Sequence, residues 1–318
     1  IKTVADKNTD AVIIGGGLIG LKAAEGLSKL CKSVTVCELS NRLLPTILDK
    51  PAGDLIGKHI KEHGINYYTE NTVAEALSEG NKITGVILKD GTRLDCSMLV
   101  MAVGVRPNIE LAKQINADIG RGIKTDNRQM TSIPDVYAAG DCTESIDILD
   151  NSVKIMALWP NAVMQGKTAG NAMAGGDKRF DGAFAMNAID FFGLHIVTCG
   201  LINASEEDGY ISTITTGDMR YRKFVIKDNK LKGYILIGDI NRAGIYTDLI
   251  RKGIPLNTVK WDNSAPISDF MFNPIQRKKR FGYYPPDMEN AQELCPDMDE
   301  IADIIVNQEI SKNDSASS

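Results

Sequence analysis

The stretch AVIIGGGLIGLKAAEGL, residues 11–27, decides the fold of the first part of this sequence. Its apolar run, residues 11–14, predicts a short buried strand. After the glycines, Leu21, Ala24 and Leu27 recur at helical spacing and predict a helix that packs on that strand. A strand that passes through a glycine turn directly into a helix is typical of a nucleotide-binding βαβ unit.

The glycines of this turn have the spacing G-x-G-x-x-G, filled by Gly15, Gly17 and Gly20. The first glycine permits a tight turn, the second admits a pyrophosphate, and the third lets helix and strand pack closely. A second strand is predicted at 33–38, and Glu38 ends it where a carboxylate can accept hydrogen bonds from a ribose. We therefore expect a dinucleotide, with its pyrophosphate at the helix N-terminus.

The charge at the end of the second strand bears on which dinucleotide binds. Because Glu38 would repel a 2′-phosphate, NADH is favoured over NADPH. Arg42 leaves the alternative open, since it can pair with such a phosphate or stack on adenine. The predicted contacts with NAD(H) in this part of the chain are Gly15, Gly16, Gly17, Leu18, Ile19, Gly20, Glu38 and Arg42.

Composition narrows the class of protein. The chain has 318 residues, of which 43% are hydrophobic, so it is long enough for about two packed domains. A net charge of −5 and a pI near 5.4 argue against a nucleic-acid partner, which would require clustered positive charge. The one dense basic run, RKKR at 277–280, is more typical of a solvated or partner-facing segment.

The cysteines and the start of the chain suggest a compartment. Six cysteines are scattered without a C-x-x-C pair, so no zinc site, iron–sulfur cluster or redox dithiol is predicted. Free thiols fit a reducing environment, and we expect a cytoplasmic protein without membrane segments, since no apolar run approaches about 18 residues. The start, IKTVADKNTD, lacks a signal segment and a methionine, so residue 1 is not expected to be the natural first residue.

The rest of the chain predicts further β structure. A helix is expected at 54–63, and the Asp90-Gly91 pair predicts a hairpin between two β-rich runs. From about residue 180 the runs YISTITT, RYRKFVIK and LKGYILIG predict an antiparallel sheet, followed by a helix at IYTDLIRKG. Beyond residue 256 the chain is rich in Pro, Asn and Asp, and we expect an irregular tail that ends in disorder.

Four motifs follow one another in a specific order. They are GGGLIG at 15–20, AVGVRPN at 102–108, DVYAAGDC at 135–142 and ALWPNAVMQGKTAGNAMAG at 157–175. This order resembles the FAD-dependent pyridine nucleotide-disulfide oxidoreductase superfamily. The likeness is greatest to its single-flavin branch, which includes NADH:rubredoxin oxidoreductases, the flavin portion of nitrite reductase large subunits and NADH oxidases. It covers roughly residues 10–256, and the ordered set is far more specific than any one motif.

The resemblance implies a fold class and a domain order. It implies an α/β protein with a Rossmann-like NAD-binding domain inserted in an FAD-binding domain, plus a small α+β C-terminal domain with an antiparallel sheet. The expected boundaries are 1–117 for the NAD-binding domain, 118–178 for the C-terminal part of the FAD-binding domain, 179–256 for the C-terminal interface domain and 257–318 for the tail. GGGLIG matches the second, NAD-binding fingerprint, so the chain is expected to lack the first, FAD-binding one.

The resemblance also carries site residues over to matching positions. Val103 and Gly104 match the segment that borders the NAD site. Asp141, preceded by Gly140, matches the aspartate that hydrogen-bonds the flavin ribitol. A helix N-terminus is expected against the flavin pyrimidine ring, where its dipole stabilises negative charge on the reduced flavin. The matching residues of that helix are Trp159, Asn161 and Ala162.

Three positions invite other interpretations. Many relatives have glutamate near the nicotinamide amide where this sequence has Lys22, which is either a solvated helix residue or one that reverses the local charge. His59 and His63, at i and i+4, have the spacing of a metal pair, but a solvated helix end is favoured and no metal is predicted. Cys142 is interpreted as a small buried residue.

The expected function is an NADH-dependent flavoprotein oxidoreductase that uses FAD and NAD(H) and passes electrons to a redox partner protein. An NADH oxidase or disulfide reductase fragment is the alternative within the family. In a different class, the chain is a non-catalytic NADH-binding subunit that needs a separate FAD-domain chain. A homodimer through the antiparallel C-terminal domain is implied by the resemblance alone. The aromatic and basic tail within 262–318 is either a segment that docks a partner or a strap packed over its own domain.

Overall fold

The computed structural model describes residues 5–259, and these begin with the predicted βαβ unit. The tail, including RKKR, Cys295 and the predicted docking segment, lies outside the described residues. The glycine turn joins strand β1 to helix α1, and all three predicted helix residues, Leu21, Ala24 and Leu27, are buried as expected. The first five elements are β1 (Asp10–Ile14), α1 (Leu18–Ser28), β2 (Ser33–Cys37), α2 (Lys50–Glu62) and β3 (Ile65–Tyr68).

The next segment adds a small antiparallel sheet and then returns to the parallel one. The hairpin predicted at Asp90-Gly91 is confirmed, since the strand before this pair and the strand after it are antiparallel neighbours. The elements are β4 (Val73–Glu79), β5 (Lys82–Leu88), β6 (Arg93–Asp95) and β7 (Met98–Met101). Strand β7 pairs in parallel with β1, which gives a four-stranded parallel sheet of order β3-β2-β1-β7. The carboxyl ends of β1, β2 and β7 therefore lie side by side, where ligands bind in open α/β sheets.

Between the two main sheets the chain is mostly irregular. It contains one short helix, one short two-stranded ladder and one long helix, whose start agrees with the predicted WPNAV motif. The elements are α3 (Glu110–Gln114), β8 (Ser145–Ile146), β9 (Val153–Lys154) and α4 (Trp159–Met173).

The predicted C-terminal antiparallel sheet is confirmed. It has five strands in the order β10-β11-β14-β13-β12, and a helix closes it. The elements are β10 (Met186–Phe191), β11 (Leu194–Gly200), β12 (Ile211–Gly217), β13 (Arg220–Lys227), β14 (Lys230–Ile237), α5 (Ala243–Lys252) and the 3-10 turn Leu256–Thr258. The mixed α/β architecture confirms the expected fold class, whereas the domain boundaries stay predictions.

One hydrophobic core joins the parallel sheet to the antiparallel one. It contains Leu21 of α1 and Ile56 of α2 together with Phe191, Ile196 and Ile235 of the C-terminal sheet, all of them almost fully buried. Burial of such side chains contributes about 1.5–3 kcal/mol each. Within the described residues, the βαβ unit and the C-terminal sheet are thus packed on each other around a single core.

Candidate functional site

The glycine turn has the geometry that its spacing predicts. Gly15 has φ +104°, and a Cβ there would overlap the carbonyl oxygen of Ala102. A Cβ on Gly20 would overlap the carbonyl oxygen of Gly15, so both glycines are required by packing. A Cβ on Gly17 would meet no protein atom within 4 Å. Gly17 therefore faces open space, which agrees with a glycine that lets a ligand approach the backbone.

The N-terminus of α1 is open to a ligand. Gly17 is its N-cap residue, and no side chain caps the helix. Ile19 in the first turn is 62% exposed, so this helix end lies at the surface. The first N–H groups of a helix have no partner within the helix, and they bind phosphate readily. The residues present therefore fit the pyrophosphate of a dinucleotide.

Glu38 holds the turn in place. One carboxylate oxygen accepts a hydrogen bond from the N–H of Gly16 at 2.7 Å, and the other accepts one from the N–H of Ser40 at 2.7 Å. The residue is only 8% exposed. Each carboxylate oxygen has a second acceptor site, so Glu38 retains capacity for a ribose hydroxyl.

Arg42 is held by protein acceptors, contrary to a role as a free phosphate clamp. Its Nε donates to the carbonyl oxygen of Leu48 at 2.9 Å, and one terminal nitrogen donates to that of Pro45 at 3.1 Å. The other terminal nitrogen donates to the side chain of Asn41 at 3.0 Å. Three of its five N–H donors thus order the loop after β2.

Val103 and Gly104 follow β7 next to the turn. Val103 is exposed, and Gly104 has φ +99° with no protein atom within 4 Å of a Cβ. The positive φ is what favours glycine here, since the protein itself leaves room for a side chain. Together with the turn and Glu38, these residues line the carboxyl ends of three adjacent parallel strands.

A second group of predicted residues gathers at the start of α4. A Cβ on Gly140 would lie 3.5 Å from the Cβ of Ala162, and Asp141 beside it is exposed. No side chain caps α4, and Trp159 in its first turn is 83% exposed. Asn161 is only 5% exposed, yet its Nδ2 has no hydrogen-bond partner. An open helix N-terminus beside an unpartnered amide donor fits the polar edge of a flavin ring.

Among the described residues, no hydrogen bond or ion pair joins this second group to the first. Each group is instead held by its own elements.

Gln165 is a residue of the second group that the motif comparison missed. It is buried, its Oε1 accepts from the N–H of Gly140 at 2.6 Å and from the Thr143 hydroxyl at 3.1 Å, and its Nε2 donates to the Ser145 hydroxyl at 2.6 Å. It therefore fixes the loop that carries Asp141. Its position four residues after Asn161, on the same face of α4, is the signal that identifies it.

Lys22 is neither simply solvated nor free. Its Nζ lies 2.5 Å from the carboxylate of Glu25 and donates to the carbonyl oxygen of Asp190 at 2.9 Å. Glu25 in turn accepts from the N–H of Phe192 at 2.9 Å. Lys22 and Glu25 thus tie α1 to the hairpin between β10 and β11.

The interpretation of both histidines as a solvated helix end is wrong for His59. His59 is buried, and its Nε2 lies 2.9 Å from the carbonyl oxygen of Phe191, to which it donates. The reason is that α2 packs against the C-terminal sheet, which the local sequence does not reveal. His63 is exposed, and its ring stacks on the ring of Phe192 with 4.3 Å between the ring centroids. No group of three metal-ligating side chains occurs within residues 5–259.

Cys142 is half-buried rather than buried as expected. Its Sγ lies 3.5 Å from the carbonyl oxygen of Ala139, in the irregular segment before α4. In the part of the chain that the structure describes, no helix is long and apolar enough to span a bilayer.

The glycine turn, the uncapped helix α1 and the parallel sheet define a dinucleotide-binding type of α/β unit. The family model for pyridine nucleotide-disulphide oxidoreductases matches residues 2–166, and the model for the rubredoxin NAD+ reductase C-terminal domain matches residues 186–254. The chain belongs to the pyridine nucleotide-disulphide oxidoreductase family, which confirms the resemblance. The family is FAD- and NAD(H)-dependent.

Individual relatives agree with this assignment. The chain is 31% identical over 243 residues to nitrite reductase [NAD(P)H] of Bacillus subtilis (strain 168), which covers 76% of the chain and 29% of the relative. It is 30% identical over 275 residues to the NADH-dependent phenylglyoxylate dehydrogenase subunit epsilon of Aromatoleum evansii. This match covers 85% of the chain and 62% of the relative. The chain thus spans less than two thirds of either relative.

A solved structure shares the fold. The NAD-dependent persulfide reductase from A. fulgidus superimposes with a TM-score of 0.75 at 24% identity, over 90% of this chain and 59% of that one.

Proposed function

We propose that the chain is the NADH-binding and part of the flavin-binding portion of an oxidoreductase that takes hydride from NADH and passes electrons to a small redox protein. The observation that carries this proposal is the pair of uncapped helix N-termini, α1 beside the glycine turn and α4 beside Asp141. FAD, when bound, supplies the chemistry of accepting a hydride and releasing the electrons to an acceptor.

The protein groups bind and orient rather than react. The N–H groups at the start of α1 bind the pyrophosphate of NADH, and Glu38 accepts hydrogen bonds from the adenosine ribose. Because Glu38 is an anion and Arg42 is occupied by backbone and side-chain oxygens, NADH is favoured over NADPH. At α4, Asn161 would donate to the flavin ring when FAD is bound, and Asp141 would accept from its ribitol, as the family resemblance implies.

The acceptor is proposed from the C-terminal sheet. The match of residues 186–254 to the rubredoxin NAD+ reductase C-terminal domain supports a small redox protein over oxygen or a disulfide. A homodimer and a cytoplasmic location are part of the same proposal, the first by the family resemblance and the second because the described cysteines are free thiols.

The first test is a visible absorption spectrum of the purified chain with added FAD, before and after anaerobic NADH. Retained flavin that bleaches with NADH supports the proposal. Gly17→Ala should slow or abolish the bleaching, because its methyl group fills the space where the pyrophosphate approaches. Gly26→Ala is the matched control, since it lies on the same helix α1 with no atom within 4 Å of a Cβ.

A second candidate function is an NADH-binding subunit that needs a separate chain for the adenylate half of FAD. It is favoured by one of the relatives, the subunit epsilon of an NADH-dependent phenylglyoxylate dehydrogenase. In that case NADH binds, as measured by enhancement of its fluorescence, but no flavin is retained.

A further inference from the structure

A buried polar cluster joins the C-terminal sheet to the start of α2. Asp49, the N-cap residue of that helix, accepts a hydrogen bond from the Tyr221 hydroxyl at 2.7 Å and from Lys223 Nζ at 3.0 Å. It also accepts from the N–H of Ala52 at 3.2 Å. Tyr221 and Lys223 lie on β13, and all three residues of the cluster are at most 9% exposed. Burial, reinforced by Asp49, raises the pKa of Tyr221, so the hydroxyl remains a donor.

The cluster is connected to the glycine turn by consecutive hydrogen bonds. Asp49 directly follows Leu48, which makes two backbone hydrogen bonds. The carbonyl oxygen of Leu48 accepts from Arg42 Nε at 2.9 Å. The N–H of Leu48 donates to the carbonyl oxygen of Leu44 at 2.9 Å. The N–H of Leu44 donates to the carbonyl oxygen of Gly16 at 2.9 Å. The loop between β2 and α2 is thus fixed at one end by the glycine turn and at the other end by β13.

The buried ion pair between Asp49 and Lys223 strongly restricts the position of the loop that ends at Asp49. Asp49 and Lys223 are both shielded from water, so neither charge exchanges this partner for solvent without a large penalty. A shift of the loop would lengthen the pair and would also move Leu44, whose N–H is bonded to the carbonyl oxygen of Gly16. The loop geometry is therefore determined by residues more than 170 positions away in the sequence.

We propose that Tyr221 and Lys223 are positioning residues for NADH: acting through Asp49, they hold the loop that shapes the adenosine side of the glycine turn. This inference rests on the proposed NADH binding. The C-terminal sheet would then determine NADH affinity without contacting the nucleotide, and flavin binding at α4 would not depend on the cluster.

The test compares NADH and FAD affinities in one set of variants, by NADH fluorescence and by flavin retention. Lys223→Met should weaken NADH binding about tenfold, as expected for a misplaced binding surface. Tyr221→Phe, which keeps the ion pair, should weaken it about two- to threefold. Arg222→Met is the matched control, because Arg222 on the same strand pairs with the partly exposed Asp239 at 3.2 Å, away from the cluster. It should change NADH affinity less than about twofold.

A double variant guards against loss of folding. Lys223→Met alone leaves Asp49 buried and unpaired, whereas Asp49→Asn with Lys223→Met leaves no unpaired charge and keeps a good N-cap residue. The double variant should fold, bind FAD normally and bind NADH about tenfold more weakly.

The outcomes separate this inference from the proposed function. Normal NADH affinity in Tyr221→Phe and in the double variant overturns the inference and leaves the function intact. A parallel fall in NADH and FAD affinities also overturns it, because the cluster is then a general stabiliser. Failure of the unmodified chain to bind NADH overturns the proposed function, and the inference with it.

Discussion

The N–H of Gly16 donates a hydrogen bond of 2.7 Å to Glu38 Oε2, so the carboxylate that ends β2 is bound directly to the turn that ends β1. The second oxygen of Glu38 is bonded to the N–H of Ser40. The acidic residue thus has two tasks, since it orders two backbone segments and presents a negative charge to the ribose. The sequence motif predicts only the second task.

Glu38→Gln should therefore weaken NADH binding and destabilise the fold together. The amide NH2 group must face the N–H of Gly16 or of Ser40, so one donor loses its acceptor at a cost of about 1–3 kcal/mol. Urea denaturation and NADH titration measure the two effects. Glu70→Gln is a control at an exposed position after β3. An unchanged free energy of unfolding would contradict the structural task of Glu38.

Gly20→Ala should destabilise the protein, whereas Gly17→Ala should not. A methyl group on Gly20 overlaps the carbonyl oxygen of Gly15, and overpacking of this kind costs about 1–3 kcal/mol. Gly17 has φ −81° and no atom near its Cβ position. Thermal unfolding of both variants without nucleotide checks the difference. Equal melting temperatures would contradict the close packing of α1 on β1.

Asn161→Ala should reduce flavin retention with little effect on the stability of the flavin-free chain. The buried Nδ2 has no protein partner, so its removal costs no hydrogen bond within the protein. Gln165→Ala provides the contrast, because Gln165 bonds three protein groups and should cost stability even without flavin. Flavin content after gel filtration and the melting temperature are the two measurements. A large loss of stability in Asn161→Ala would speak against a ligand donor.

The contact between Glu25 and the C-terminal hairpin should weaken in acid. Burial by itself raises the pKa of Glu25, but hydrogen bonds from Lys22 and the N–H of Phe192 outweigh it and lower the pKa below 4.5. A carboxyl group with a lowered folded-state pKa stabilises the protein above its unfolded-state pKa, and this contribution is lost as pH falls through the folded-state pKa.

Unfolding free energies of the unmodified protein and of Glu25→Gln should therefore differ at pH 7 and converge once the pH falls below the lowered folded-state pKa of Glu25. Glu62→Gln is the control, because Glu62 has only an exposed pairing with Lys58 at 3.9 Å and should show little difference at any pH. A constant difference across the acid range would mean that the ionised form of Glu25 does not matter.

Local patterns in the sequence predicted the elements that local physics determines. The burial of Leu21, Ala24 and Leu27 follows from helical spacing, and the hairpin at Asp90-Gly91 follows from turn chemistry. The open space at Gly17 agrees with the motif as well.

Contacts between distant parts of the chain could not be predicted in this way. His59 is buried because the β10–β11 hairpin covers it, 132 residues away. The sequence around Asp49 is that of an ordinary N-cap residue. It does not indicate that Tyr221 and Lys223 donate hydrogen bonds to this carboxylate. Arg42 likewise looks available for a phosphate until the carbonyl oxygens of Pro45 and Leu48 are located.

The shared core of α1, α2 and the C-terminal sheet limits how this chain can be divided or recombined. A gene break at the predicted boundary near residue 179 would leave Leu21 and Ile56 without Phe191, Ile196 and Ile235 as neighbours. Each half would then present a wide apolar surface to water and would be prone to aggregate. Transfer of the glycine-turn unit into another protein would therefore require transfer of the antiparallel sheet as well. We expect recombination between genes to exchange the two segments together.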